Sequence, residues 1–436
     1  MINTEYFTEY FNQLQENNNG TLISGVRKKA FDNFNKLGLP VKHEEWKYTR
    51  ISSVLNKDFL TPDLAGKSSF SQVDLEAIQL PGTSEANKLV FINGLFNADL
   101  SKVISDELVV LPLEVAAASE TYKTIVLSNL GHSSAYLNDG INALNTAFVH
   151  GGVFVHVNKG KIVSHPVYIY NVCDAREQHI LAQPRSLVHV AENAQLKMVE
   201  TYVTIGTQES FTNQVLEVEV EKDAYFEYYK IQNDADQANQ VSTTHIRQTG
   251  KSVVHTVTIS LSGNIVRNNQ NIVLEAEYCE AHLYGLYFAQ GKTHIDNHTV
   301  VDNVQPHCFS NELYKGIMDD DSTGVFNGKI FVQRAAQKTN AYQSNKNILL
   351  SDNASVNTKP QLEIFADDVK CSHGCTIGKL DEESMFYLRS RGIGEEMARS
   401  LLLQAFSTDV LEHIQLPAVH DYVTELISKR LQFDLV

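Results

Sequence analysis

Two thiols and an imidazole fall within five residues in the segment Asp367-Asp368-Val369-Lys370-Cys371-Ser372-His373-Gly374-Cys375. Thiolate and imidazole are the donors that suit iron, zinc or copper(I). If the chain is extended here, Cys371 and His373 point to one face, because alternate residues of a strand share a side. Cys375 shares that face only if the strand runs on through Gly374, and a glycine would equally let the backbone turn. The segment is a half-site of two or three ligands, whereas a complete zinc or iron–sulfur site takes about four. Either His307-Cys308 of the same chain or a second subunit would have to complete it. The bland alternative gives Cys371 and Cys375 packing roles and His373 a structural one. Cys173 and Cys279 sit in strand-like apolar surroundings that suit a core.

No other stretch offers comparable chemistry. Ala65-Gly66-Lys67-Ser68 has the closing residues of a phosphate-binding loop, but Thr61 stands where that loop needs its leading glycine, and no strand precedes it. The chain is therefore expected to bind no nucleotide of its own. GxSxG, HExxH and a strand-linked GxGxxG are absent from the sequence. Its 16 histidines are scattered, and most suit a polar surface or a satisfied core position.

A long β region must hold Cys371 and His373. From about residue 149, alternating segments succeed one another at 152–157, 196–203, 214–220, 224–231 and 252–261, and continue to 362–364. They are rich in Val, Ile, Thr, Tyr and Phe, with Gly, Asn or Asp at the breaks. So many strands must manage their edges as a sandwich, a barrel or a solenoid. Units of roughly 20 residues fit irregular solenoid coils. No fixed motif recurs, so the pattern alone leaves solenoid and sandwich level. Helical spacing brackets the region. Tyr6, Phe7, Tyr10, Phe11 and Leu14 form one set, and Val26, Ala30, Phe31, Phe34 and Leu37 a second, separated by an Asn-rich break at 17–20. The pattern from 50 to 145 is mixed, with a strand-like piece at 89–94. After Gly378, helical spacing returns at 382–391, 395–406, 409–414 and 420–433. The expected organisation is a mostly helical domain over 1–145, a β core over 146–377 and a helical domain over 378–436.

The 436 residues suffice for two or three domains with ample core. Hydrophobic residues make up 43% and charged ones 20%, which excludes a disordered chain. Five cysteines are too few for a disulfide-stapled fold. A net charge of −16 argues against an electrostatic grip on nucleic acid or on an anionic membrane. The first twenty residues lack the basic and apolar regions of a secretory signal, and no apolar run is long enough to span a bilayer. The expected location is cytoplasmic, where cysteines stay reduced.

Between Ser322 and Ile393 several motifs follow closely: GxFxGKIxV at 324–332, AQKTxAxQxNxNLLLS at 336–351 with Ile348 as a departure, KPxLEIxADDVKCSHG at 359–374, GxLDE at 378–382 and FYLxSRGI at 386–393. This stretch closely resembles the SufB/SufD family of iron–sulfur cluster assembly proteins. Gly38-Leu39-Pro40 with Glu45-Trp46-Lys47-Tyr48-Thr49, and the absence of cysteine before Cys173, look like its SufD branch. One departure is Cys375, where the family carries alanine after CSHG; it is read as a bystander.

The resemblance implies a right-handed parallel β-helix between two helical domains. It also implies a non-catalytic scaffold working in a complex with SufB and the ABC-type ATPase SufC. SufB would pair through the β-helix, and SufC would dock on the C-terminal helices. The docking candidates are Phe386 and Leu388 on the first helix and Met397, Leu401 and Leu402 on the second. By the same resemblance, His373 and the neighbouring Cys371 would hold iron or part of a transient iron–sulfur cluster shared with SufB. ATP-driven closure of SufC would gate that site. Two other classes remain: a zinc-stabilised homodimer, which stoichiometric tightly held zinc would reveal, and a β-helix polysaccharide-acting enzyme, which predicts a secretory signal and a row of acidic residues. A homodimer of the isolated chain is compatible with the family reading too.

Overall fold

The computed structural model describes residues 4–17, 21–41, 43–55, 59–61 and 68–431. The core of the Asn-rich break at 18–20, the glycine–lysine fragment at 65–67 and residues 432–433 of the last expected helix lie outside the described residues.

The β region is a parallel solenoid of about 8 turns, which decides between solenoid and sandwich. Each turn contributes a strand to each of two sheets. In pairing order, the first sheet holds Leu95–Lys102, Asn87–Ile92, Val167–Ala175, Gln195–Gly206, Tyr225–Asn233, Val253–Ser262, Glu280–Ala289, Phe309–Met318, Asn340–Leu349 and Lys370–Gly378. The second runs back through Ser355–Thr358, Thr323–Val332, His294–Asn303, Ile265–Leu274, Ala238–Gln248, Ser210–Val220, Arg185–Val190, Val153–Val157 and Leu108–Pro112. Strands from the first 112 residues thus start both sheets, and among the described residues the antiparallel pairs each involve one of them.

Tyr225 lies beside Val253, Val253 beside Glu280, Glu280 beside Phe309, Phe309 beside Asn340 and Asn340 beside Lys370. One coil therefore takes about 30 residues, not the roughly 20 read from the sequence, because it holds two strands and both corners. The repeat is carried by backbone conformation. Asn193, Asp223, Tyr278, His307 and Lys338 each sit two residues before a strand of the first sheet, with φ of 58°, 56°, 61°, 62° and 61°. Non-glycine residues rarely adopt this left-handed conformation. Here the N–H groups of Asn193, Tyr278, His307 and Lys338 donate to the next coil's corner, at Lys222, Pro306, Gln337 and Asp368. Five different side chains serve one corner, so no residue motif marks it.

Val155, Val188, Leu216, Ile246 and Ile272 of the second sheet meet Leu196, Phe226, Val254 and Leu283 of the first in the solenoid's interior. Helices cover the outer faces. Phe7, Phe11, Phe31 and Phe34, from Thr4–Asn17 and Ser24–Leu37, join the cluster that reaches Phe211 and Val241 on the second sheet. Leu403, Val410, Val423 and Ile427 pack on Tyr229, Ile231, Val257 and Ile259 of the first sheet. The C-terminal helices are Glu382–Ser390, Glu395–Leu411 and Pro417–Arg430. The separate piece expected over 409–414 is not formed: Asp409–Leu411 is the end of the second helix and the rest is turn. Pro417 opens the third, where its missing N–H costs nothing. Among the described residues, no helix is long and apolar enough to cross a membrane.

Because both faces are covered, the polar half of the strand alternation is also buried. Arg267 pairs with Asp296 at 3.0 Å, and its guanidinium lies 3.8 Å from the centre of the Trp46 ring. Glu45 accepts from Lys329 at 2.6 Å and from Asn327 at 3.0 Å, and Trp46 donates to Asp139 at 3.1 Å. The Glu45-Trp46 motif is thereby clasped to the GKI motif, and the hydrogen bond to His298, reinforced by Lys329, holds the Glu45 carboxyl far below the usual carboxylate range.

Candidate functional site

Lys370–Gly378 is the last strand of the first sheet and pairs on one side only. Ala341 lies beside Cys371, Gln343 beside His373, Ser344 beside Gly374 and Asn345 beside Cys375. The ladder holds Gly374 extended, so the turn that this glycine would permit is not made. Cys375 consequently shares the face of Cys371 and His373. That face is the inner one: Cys371 packs against the interior cluster, and the Cys375 thiol donates to the Thr358 hydroxyl at 3.3 Å, across on the second sheet. No further coil covers it. Cys371 is half-buried, while His373 and Cys375 are exposed. Burial raises the Cys371 thiol above its ordinary pKa.

His307-Cys308 does not complete this set. His307 is a corner residue stacked on Tyr278, with ring centres 4.7 Å apart. Cys308 is buried two coils back, where its thiol donates to the Ala276 carbonyl at 3.3 Å. Cys173 and Cys279 are buried in the core. Among the described residues, no group of three or more His, Cys, Asp or Glu is placed to hold a metal ion. Cys371 and His373 are two strand positions apart, about 6.7 Å along the chain. The strand presents two donors on one face, fewer than a complete metal site takes.

Behind it stands a row that motif reading passed over. Glu312, Gln343 and His373 occupy one register position in three successive coils. Gln343 Nε2 donates to Glu312 Oε2 at 2.7 Å, and burial pushes the Glu312 carboxyl up to about 7. The signal for this row was the period-two spacing of Gln343, Asn345 and Asn347, which marks three inward-facing polar residues.

The docking candidates lie elsewhere, on the C-terminal helices. Phe386, Leu388 and Leu402 line one open groove of about 850 Å³, with Tyr387 beside them and Asp381, Glu382 and Glu383 at its rim. Phe386 is 74% exposed, and Glu382–Ser390 buries none of its residues. Met397 is exposed and Leu401 half-buried on the following helix, outside that groove.

The sequence matches two family profiles: "SUF system FeS cluster assembly, SufBD core domain" over residues 172–406, and "SufBD protein N-terminal region" over residues 2–169. An iron–sulfur cluster assembly SufBD family protein of Synechocystis is 32% identical, with 97% of this chain and 96% of the relative covered. The iron–sulfur cluster assembly protein SufD of Escherichia coli is 28% identical, with 94% of each covered. That of Bacillus subtilis is 22% identical, with 99% of this chain and 98% of the relative covered.

Proposed function

The chain belongs to the SufBD family of the SUF system for iron–sulfur cluster assembly, and from that premise we propose that it is a non-catalytic scaffold which holds part of a nascent cluster at an interface with SufB. The observation that carries this reading is the edge strand Lys370–Gly378. It presents Cys371 and His373 at the uncovered end of the solenoid, with too few donors to close a metal site. A partner strand pairing at that end would supply both backbone partners and the missing ligands. Iron or the growing cluster is cargo, admitted by His373 and Cys371 and passed on.

The second part of the proposal concerns the C-terminal helices. The groove of Phe386, Leu388 and Leu402, with Met397 and Leu401 on the adjoining helix, docks the ATPase SufC, which provides the nucleotide chemistry. Exposed aromatic and aliphatic side chains beside an acidic rim are the composition expected of a protein-binding surface.

Reconstitution with SufB and SufC tests both parts. His373→Ala should leave the complex assembled and impair cluster formation, followed by the cluster's visible absorbance. Full cluster yield from this variant would remove the site assignment. Failure of the unaltered chain to co-purify with the ATPase would remove the partner assignment.

A further inference from the structure

A buried amide oxygen stands beside His373 with nothing to accept. Gln343 is almost fully buried and is the direct neighbour of His373 across the last strand pair. Its Nε2 is committed to Glu312 at 2.7 Å, whereas its Oε1 is buried without a hydrogen-bond partner. Such an atom costs free energy unless something bonds to it. Glu312 Oε1, one coil back, is likewise buried without a partner, whereas the next inward-facing amides of the strand are fully committed. Asn345 donates to the Tyr287 hydroxyl at 3.1 Å and to the Tyr314 carbonyl at 3.2 Å, and accepts from Asn347 at 2.6 Å. Asn347 in turn accepts from the Tyr287 hydroxyl.

The GKI motif enters the same arrangement. Gly328, on the opposite sheet, lies against the Gln343 amide, and a Cβ there would collide with Nε2. The glycine leaves room for the amide, and Glu312 fixes which end of it faces inward. The carbonyl oxygen is left without a partner, on a residue whose neighbour in the next coil is His373.

We propose that Gln343 is the positioning residue of His373: its Oε1 accepts one imidazole N–H and leaves the other ring nitrogen free for iron or the cluster. Histidines that bind metals nearly always donate their second N–H to a carbonyl or carboxylate, which fixes the tautomer and the ring orientation. Glu312 and Gly328 serve by holding the amide. This inference rests on the reading of His373 as a ligand.

The test uses the reconstituted complex with Gln343→Leu, Gln343→Glu, Gly328→Ala and His373→Ala. Loss of such an outer partner lowers metal affinity or activity about 10–100-fold. That loss in cluster-formation rate is expected for Gln343→Leu, with the complex still assembled. Gly328→Ala, which keeps both side chains but displaces the amide, is expected to lose rate in the same direction and serves if Gln343→Leu does not fold. Gln343→Glu keeps an oxygen facing His373, and the Glu312 carboxyl can supply the proton its second oxygen needs; it should restore the rate, which a purely structural role would not require. If His373→Ala is impaired while Gln343→Leu or Gly328→Ala forms clusters at the unaltered rate, the inference on Gln343 is overturned and the ligand reading stands. If His373→Ala forms clusters at full rate, the ligand reading itself falls.

Discussion

His255→Gln should flatten the pH dependence of stability by about 2 kcal/mol between pH 8 and pH 5. His255 is 6% exposed, under the C-terminal helices, and its ring faces those of His282, Tyr284 and His413. One ring nitrogen donates to the His413 carbonyl at 2.8 Å. Burial is the main reason its pKa is pushed down to about 4, assisted by His282, His413 and Lys197. An unfolded histidine titrates near 6.5, so the folded value is the depressed one. Above about 6.5 the residue is neutral in both states and its contribution is fully present. It is lost as the pH falls through the window down to about 4, because the unfolded chain takes up the proton first. At pH 5 the protonated form of an unfolded histidine exceeds the neutral form about 30-fold, which is about 2 kcal/mol. The folded value lies low enough that its exact position barely changes this number. Glutamine can keep the donation to the His413 carbonyl, and His282 and His413 remain in both proteins. Urea unfolding of both proteins at pH 8, 6 and 5 gives the difference in slope, in which any uniform loss of stability cancels. Parallel pH curves would refute the argument.

Two further outcomes follow from the covered faces. Arg267→Met removes a guanidinium that lies on Trp46 and neutralises the buried Asp296. Breaking such a buried pair costs about 3–5 kcal/mol. His298 remains 3.0 Å from Asp296, so the lower end, about 3 kcal/mol, is expected, together with faster hydrogen exchange at residues 43–49; a loss below about 1 kcal/mol would show that the clasp does not hold the segment. Phe386→Glu alters an exposed residue of a helix that buries none of its own side chains, so the thermal midpoint should hold while capture of the ATPase falls at least about tenfold, the effect of losing one central interface anchor; unchanged capture would clear the groove of its proposed role.

The sequence was most informative where chemistry and periodicity coincided. Period two alone places Cys371 and His373 on one face, and the strand bears this out. Gly374 misled because its freedom to turn is a local property. The ladder to Asn340–Leu349 decides its conformation, and that ladder is set by residues 30 positions earlier in register. Coil length was illegible for a related reason. The corners at Asn193, Asp223, Tyr278, His307 and Lys338 repeat a φ, and different side chains reach it when the next coil accepts their N–H. His307 therefore looked like a ligand beside Cys308 when it is a turn. Period-two alternation by itself leaves open what covers the polar face. Arg185, Glu217, His245, Arg267 and Asp296 lie under helices, paired or hydrogen-bonded, because the outer faces are covered too. Gln343 stood in plain view within a family motif, but its hydrogen-bond partner Glu312 lies one coil before it.

The placement of the donors has a consequence for when the site can work. An edge strand is a template for another chain, and proteins ordinarily blunt such edges with charge, brevity or a covering element. Here nine residues, Lys370–Gly378, leave one backbone side unpaired, with Lys370 and nearby Lys379 as the charged positions at its ends. The same nine residues carry Cys371 and His373. On the proposed reading, subunit pairing and completion of the ligand shell are then one event. The isolated chain would offer two donors, fewer than a closed site needs, and so would hold iron weakly. When the partner strand arrives, water leaves the end of the solenoid, His373 becomes buried, and its spare N–H must find an acceptor or pay the cost of an unpaired donor. On the same reading, Gln343 would supply that acceptor. On that reading the site would hold metal firmly only within the complex, and opening the interface would release what it holds without any covalent step on this chain.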